Sequence, residues 1–104
     1  MISRIWHGWT TKGNAEAYEA LLRKEIFVGI QNRHIQGLKG IQLLRREHPG
    51  EVEFVTIMRF ESLDAVRSFA GDDYEQCVVL PPARSLLSRF DLQSQHYEVR
   101  IEAE

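Results

Sequence analysis

The stretch from Glu51 to Phe60, Glu-Val-Glu-Phe-Val-Thr-Ile-Met-Arg-Phe, decides how the rest of the chain is arranged. It is rich in β-branched and aromatic residues and therefore predicts a β-strand. Alternate strand residues point to opposite faces, and here Phe54 lies on one parity while Val55 and Ile57 lie on the other. A sheet covered on one side alternates apolar with polar residues, so this strand needs a cover on both faces. Because the chain has enough helix for one cover, we predict that a second copy of the protein forms the other.

Composition is that of one ordinary globular domain covering residues 1–104. The hydrophobic fraction is 43%, the charged fraction is 27% and the net charge is −2. No clustered basic face favours nucleic acid, and no apolar run approaches the ~20 residues that cross a membrane. We therefore expect neither a nucleic-acid partner nor a membrane.

Cysteine and acidic residues make a metal or disulfide site improbable on sequence grounds. The single cysteine, Cys77, allows neither an intramolecular disulfide nor a cysteine-based zinc site. Asp72, Asp73 and Glu75 follow Gly71, where acidic residues are better explained as the start of a helix than as metal ligands. The N-terminus has no secretory pattern, so a reducing cytoplasm is the expected location.

The first half of the chain predicts strand, helix and hairpin. Ile2 to Thr10 forms the first strand, and a helix follows from about Ala15 to Arg33, with Asn14 as its N-cap. Ile41 to Glu47 forms the second strand. His48-Pro49-Gly50 is a strong turn signal that joins this strand to the third one in a hairpin.

The second half predicts helix and a final strand. Ser62 caps a helix over Leu63 to Ala70 that stops at Gly71. Shorter helical segments are predicted over Asp72 to Val79 and over Ala83 to Ser88, on either side of Pro81-Pro82. Asp91 to Ile101 is the predicted fourth strand.

The order β-α-β-β-α-β predicts an α+β fold with a ferredoxin-like, antiparallel four-stranded sheet. The fourth strand then lies beside the first, and the third lies on the first strand's other side. The helices cover one face of the sheet. The other face is predicted to meet the same face of a second subunit around a two-fold axis.

Several short stretches resemble the antibiotic biosynthesis monooxygenase domain family across nearly the whole chain. They are Arg4-Ile5-Trp6-His7-Gly8, the Gly37–Gly40 link, Glu53-Phe54-Val55 through Arg59-Phe60-Glu61-Ser62-Leu63-Asp64-Ala65, Phe69-Ala70-Gly71 and His96-Tyr97-Glu98-Val99. The resemblance implies a dimeric α+β barrel. It also implies one of several functions, because the family includes cofactor-independent monooxygenases of aromatic or quinol substrates, haem-degrading enzymes and members with no assigned reaction.

The haem-degrading branch of the family carries an asparagine on the first strand, then a tryptophan and an iron-binding histidine. Alignment on Lys12-Gly13 places Trp6 at the asparagine position, Phe69 at the tryptophan position and Val79 near the histidine position. No histidine occurs between His48 and His96. Haem degradation is therefore not expected, and neither a cofactor nor a metal is predicted.

Cofactor-free oxygenation needs a base and an apolar cavity. His7 and His96 lie on neighbouring strands, where they can face each other, and either can act as a general base near neutral pH. The predicted substrate-binding residues are Trp6, Trp9, Arg59, Phe69, Tyr74 and Tyr97. Trp6 and Trp9 have opposite parity, so at most one of them can line a given face.

Structural roles compete with each of these functional ones. The histidines can be hydrogen-bonded residues at the sheet or dimer seam, and Arg59 can pair with Glu53, Glu61 or a partner's carboxylate. Two functions therefore remain open. One is a monooxygenase acting on an aromatic or quinol-type molecule. The other is a non-catalytic dimeric module that binds a small hydrophobic molecule or serves as a stress-associated accessory protein.

Overall fold

The structure, a computed structural model, describes all of residues 1–104. Its strands are β1 (Ile2–Thr10), β2 (Leu38–Glu47), β3 (Val52–Phe60), β4 (Leu87–Phe90) and β5 (Gln95–Glu98). Its helices are α1 (Ala15–Leu21), α2 (Phe27–Asn32), α3 (Leu63–Ala70) and α4 (Pro81–Arg84). A π-helical turn, Leu22–Ile26, joins α1 to α2 without a break, so the predicted first helix is confirmed in its extent. None of the helices is long and apolar enough to span a membrane.

The sheet is antiparallel in the order β2-β3-β1-β4, and β5 also pairs with β1. The α+β ferredoxin-like arrangement is thus confirmed, with the first strand between the third strand and the C-terminal strands. One parity of β3 is buried under the helices, with Val52, Phe54 and Phe60 each at 0% exposure. Val55 and Ile57 point to the opposite face, which no helix covers.

The C-terminal part of the sheet has two short strands where one was predicted: β5 lies within the predicted fourth strand, whereas β4 precedes it and begins on residues that were predicted as helix. β4 and β5 both pair with β1, and residues 91–94 leave the ladder between them. The indole Nε1 of Trp6 donates to the backbone carbonyl of Asp91 at 2.7 Å and so fixes the start of this interruption. The sheet therefore has five strands, because β1 is long enough to pair with two short ones.

One predicted helix was wrong, and a second is shifted towards the N-terminus. Residues 72–80 form an irregular loop after Gly71, whose φ of +89° ends α3, and Gln76 makes an isolated bridge with Gln93. Pro81 and Pro82 were predicted to interrupt helix, yet they open α4, since proline is tolerated in a first helical turn. Leu87 already belongs to β4, so the predicted helix over Ala83 to Ser88 is limited to its first residues.

The predicted helix caps are confirmed at one of two sites. The Ser62 hydroxyl accepts from the backbone N–H of Ala65 and caps α3, as predicted. Asn14 makes no side-chain cap, because its amide donates to the carbonyl of Leu86, while Thr11 caps the short turn before α1. The hairpin turn after β2 is confirmed by the hydrogen bond from His48 N–H to the Glu51 carbonyl.

Candidate functional site

A cavity of about 370 Å³ lies between the helix-covered face of the sheet and the α1–α2 helix. The floor comes from β1 and β3, and the loop over residues 78–80 together with α4 closes one side. Twelve of the eighteen lining residues are hydrophobic. The lining consists of Arg4, Trp6, Tyr18, Leu22, Glu25, Ile26, Phe27, Gly29, Ile30, Arg33, Thr56, Met58, Phe69, Val78, Val79, Leu80, Ala83 and Ser94.

The π-helical turn forms part of the cavity wall. Leu22, Glu25 and Ile26 all belong to this turn and all line the cavity. A π turn carries one more residue than an α turn, which widens the helix locally and redirects the side chains that follow. Single π turns inside α-helices are frequent at functional sites, and this one lies where the helix faces the cavity.

Arg4 is the buried cation of the site. It lies on β1 opposite Met58 of β3 and is 4% exposed. Its guanidinium donates to the backbone carbonyls of Tyr74 and Gln76 and to Nε2 of His96 at 2.9 Å, and it lies 5.4 Å from the ring centre of Phe69. No carboxylate lies within ion-pair distance of it in the chain. Burial lowers the pKa of Arg4 from its ordinary value, although an arginine stays charged at neutral pH.

His96 accepts a hydrogen bond from the guanidinium of Arg4 and fixes its position. Because the guanidinium is only a donor, His96 must accept through Nε2 and carry its proton on Nδ1. Its ring also meets the edge of Tyr74 at a centroid distance of 5.0 Å. Burial, and then the positive charge of Arg4, lower the pKa of His96 below its ordinary value. The imidazole is therefore neutral at neutral pH.

Three hydroxyl groups face the cavity without a hydrogen-bond partner in the chain. Tyr18 is 1% exposed and packs against Phe54 at 4.9 Å between ring centres. Burial raises the pKa of the Tyr18 phenol above its ordinary range, so this phenol stays protonated and can donate. Thr56 and Ser94 supply the other two hydroxyls. A ligand in the cavity thus meets donors among apolar walls.

The residues predicted to bind substrate divide between the two faces of the sheet. Trp6 and Phe69 line the cavity, and Tyr74 contributes its carbonyl to Arg4. Trp9, Arg59 and Tyr97 lie on the face that no helix covers. Trp9 pairs with Glu53 of β3, and Ser3 of β1 pairs with both Arg59 and Tyr97. One cavity cannot contain all six, since strand alternation separates them.

His7 and His96 do not face each other, contrary to the prediction. In the β1–β5 register His96 lies opposite Arg4, three residues from His7, so the two imidazoles occupy opposite faces. His7 approaches Asp91 at 3.3 Å and Glu53 at 3.8 Å on the uncovered face. Neither histidine is among the residues that line the cavity.

The predicted ion pairs of Arg59 within the chain were also wrong. Its side chain is exposed and lies across Gly40 on β2, where an added Cβ would come within 2.8 Å of the guanidinium. Glu61 pairs instead with Lys39 at 2.9 Å, and Glu53 accepts from His48 at 2.8 Å.

The three positions that were compared with haem-degrading enzymes meet in the same cavity. Trp6, Phe69 and Val79 all line it, and no histidine or cysteine does. The indole, phenyl and isopropyl groups at these positions are not iron ligands.

Sequence reasoning missed the two most informative polar residues, Arg4 and Tyr18. Arg4 shares the parity of Trp6 on β1, and that parity faces the helices, so a charged residue on it was a detectable signal. Tyr18 was assigned to the apolar stripe of the first helix, and the stripe does face the sheet. The π turn has no sequence signature that we could identify.

Comparisons with known proteins agree with this fold. Searches of protein-family models and of curated proteins each found no match. Among solved structures, a putative antibiotic biosynthesis monooxygenase from Bacillus cereus is similar, with a TM-score of 0.70, 13% identity and coverage of 99% of this chain and 96% of that one. Rv0793 from Mycobacterium tuberculosis gives a TM-score of 0.65 at 20% identity, covering 99% and 98%.

A third similar structure is the heme-degrader MhuD from Mycobacterium tuberculosis, with two hemes bound in its active site. Its TM-score is 0.61 at 18% identity, and coverage is 100% of both chains. The resemblance predicted from the sequence is therefore confirmed at the level of the fold: the chain has the α+β ferredoxin-like fold of antibiotic biosynthesis monooxygenase-type proteins. Identities this low establish the fold alone.

Proposed function

We propose that the protein is a cofactor-independent monooxygenase that acts on an aromatic or quinol-type small molecule. The observation that carries this proposal is the cavity itself: about 370 Å³, mostly apolar, with Arg4 and Tyr18 among the residues that line it. Such a combination of apolar walls and a few polar groups is typical of small-molecule sites. Trp6 and Phe69 provide aromatic surface for a flat ligand.

The reaction needs no electron donor besides the substrate. An activated methylene group and O₂ give a carbonyl group and water: two C–H bonds break, one C=O bond forms, and the substrate supplies four electrons. The slow step, transfer of an electron from the substrate to O₂, becomes easier when the substrate is converted to its electron-rich anion. In our proposal Arg4 and Tyr18 stabilise the anionic oxygen of that intermediate, since fixed donors in a dry site favour developing charge.

The proton acceptor that the cavity offers is Glu25, the one carboxylate in its lining, which lies in the π turn and is exposed. His96 contacts Arg4 and not the cavity, so we propose it as a positioning residue that fixes the guanidinium. His7 is on the other face, and the catalytic role predicted for it would have to be exercised there.

The alternative is a binding protein without turnover, which is favoured by the lack of a histidine in the cavity. That hypothesis predicted a filled core in which Trp6, Tyr18 and Phe69 pack together. The three side chains instead surround open space, which supports a ligand but not yet a reaction.

We further propose that the protein is a homodimer joined through the uncovered sheet face. Ile5, Val55 and Ile57 lie in the centre of this face, and Leu44 is 45% exposed beside them. Apolar side chains that form a continuous patch on a sheet are a common sign of a subunit interface.

The direct test is oxygen consumption with anthrones and hydroquinones, followed by mass analysis of the products after reaction under ¹⁸O₂. We expect one labelled oxygen atom in the product and no dependence on added metal or flavin. Tyr18→Phe should slow turnover, whereas Ser85→Ala, a change on the outside of the protein, should not. Tight binding of these compounds with no oxygen uptake would favour the binding module instead.

A further inference from the structure

Arg4 is buried with no carboxylate at ion-pair distance, and the one acidic group that raises its pKa is the thiol of Cys77. It is 4% exposed, and its three hydrogen-bond partners, two carbonyls and the His96 ring, are all neutral. A guanidinium carries five N–H groups, so about two of them remain without a partner in the chain. A buried charge is costly unless an opposite charge accompanies it.

The hydrogen bonds that Arg4 does make explain its position but not its charge. They fasten the loop over residues 74–76 to β1, and a neutral donor could do the same. A carboxylate in place of His96 would neutralise Arg4. A neutral imidazole holds the guanidinium in place and leaves its charge available to the cavity that it lines.

We propose that Arg4 binds an anionic oxygen of the ligand, so that the cavity selects aromatic molecules bearing a carboxylate or an ionised phenol or enol. This inference rests on the proposed function, because it requires that the cavity take an aromatic ligand. The apolar lining binds the ring, and the charge of Arg4 provides the preference between acidic and neutral ligands. Ser94, a neighbouring hydroxyl in the lining, can donate to the same oxygen.

The first experiment compares 2-naphthoate with 2-naphthamide, two planar probes of similar shape that differ in charge. Isothermal titration calorimetry of the full chain at pH 7.5 should show the acid bound at least tenfold more tightly than the amide. Equal affinities, or a preference for the amide, would overturn the inference while leaving an aromatic-binding cavity in place. If neither probe bound, the proposed function would fail and this inference with it.

Two variants assign the preference to Arg4. In Arg4→Met the preference for the acid should fall to about onefold, and Arg4→Lys should restore part of it. The control is Arg33→Met, since Arg33 also lines the cavity and lies over Phe69, but it is exposed and donates to the carbonyls of Ser68 and Phe69. This control should keep the preference; if it lost the preference instead, the charge would belong to the cavity mouth and not to Arg4.

A second measurement needs only the unmodified protein. The absorbance of 4-nitrophenol reports its ionisation directly, and the probe can be titrated free and bound. A bound pKa at least one unit below the free value corresponds to a tenfold preference for the phenolate, or about 1.4 kcal/mol. A bound pKa equal to or above the free value would contradict a cationic contact to the phenol oxygen, even if the Arg4 variants failed to fold.

Discussion

At the scale of single residues, the site depends on groups whose protonation state is set by their neighbours. Arg4 remains charged in the interior because it has hydrogen-bond acceptors. His96 remains neutral because burial and then the nearby charge of Arg4 lower its pKa. Tyr18 remains a phenol because burial disfavours the phenolate. Each group is thus limited to one role: charge, acceptor or donor.

The lowered pKa of His96 predicts that the folded chain loses stability in mild acid. Its pKa in the folded chain is below the ordinary value of 6.5, so the unfolded chain binds this proton more readily. Its contribution to stability is complete above that ordinary value and is lost as the pH falls through the lowered one. Urea unfolding should show a smaller free energy at pH 5 than at pH 7.5.

The matched variant is His96→Gln, whose carbonyl oxygen can still accept from Arg4 but does not titrate. It should reduce the fall in stability between these two pH values. Glu75, the other charged group acting on His96, partly offsets the effect because it raises the imidazole's pKa. An unchanged pH dependence in the variant would show that other groups carry it.

Removing the hydroxyl group of Tyr18 should lower ligand affinity without much change in the free energy of unfolding. Tyr18→Phe keeps the ring that packs against Phe54 and removes a hydroxyl that has no partner in the chain. Unfolding free energy should change by less than about 1 kcal/mol, whereas affinity for a phenolic or acidic ligand should fall about tenfold, the value of one hydrogen bond to a charged group. Calorimetry and urea unfolding on the same samples would measure both.

At the scale of elements, close contacts between backbone segments decide where the helices lie. Gly37 joins α2 to β2 with a φ of +90°, and a Cβ added there would be 2.6 Å from the Cβ of Ala65 on α3. Its carbonyl also accepts from the N–H of Glu61, just before α3. The link therefore fixes α3 against the start of β2.

Gly37→Ala should be strongly destabilising, because it combines a strained backbone with a steric overlap. We expect a loss of about 2 kcal/mol or more in urea unfolding. The control is Gly13→Ala, where no atom lies within 4 Å of the added Cβ and the φ is not positive. That change should alter stability by less than about 0.5 kcal/mol, and similar losses in both variants would refute this account of the link.

At the scale of the whole molecule, the two faces of the sheet differ in what covers them: helices cover one, and nothing in the same chain covers the other. The helices bury one face, including Phe54 and Phe60 of β3, whereas the other carries half-buried Ile5, Val55 and Ile57. The second face also holds a charged border, in which Arg89 lies 3.8 Å from the ring centre of Trp9 and pairs with Glu51. A central apolar area with a polar border is the usual anatomy of an interface.

Ile57→Glu should therefore dissociate the proposed dimer, because it places a charge in the centre of the apolar area. Sedimentation velocity should show the unmodified chain as a dimer and the variant as a monomer. Val28→Glu is the control, since Val28 is 42% exposed on α2, outside both the sheet face and the cavity lining. A monomeric unmodified chain at micromolar concentration would refute the dimer.

Much of the fold could be predicted from local patterns, and much of the site could not. The capped helix after Ser62, the Pro-Gly hairpin and the long first helix each have a short-range signal, and each was found. The short strand β4 was missed, because it exists only through its pairing with β1, which is distant in sequence. The loop over residues 72–80 was taken for helix because its acidic start resembles a helix N-terminus.

What the sequence determined by itself is the two-faced central strand and the order of elements, since both follow from residue alternation and from turn residues that act over a few positions. Only the tertiary structure decided which side chains share a cavity. That outcome depends on strand register, which sets Arg4 beside His96 and puts His7 on the far face. A shift of one residue reverses every side chain of a strand, and no local pattern in β1 reveals which residue of β5 will lie opposite.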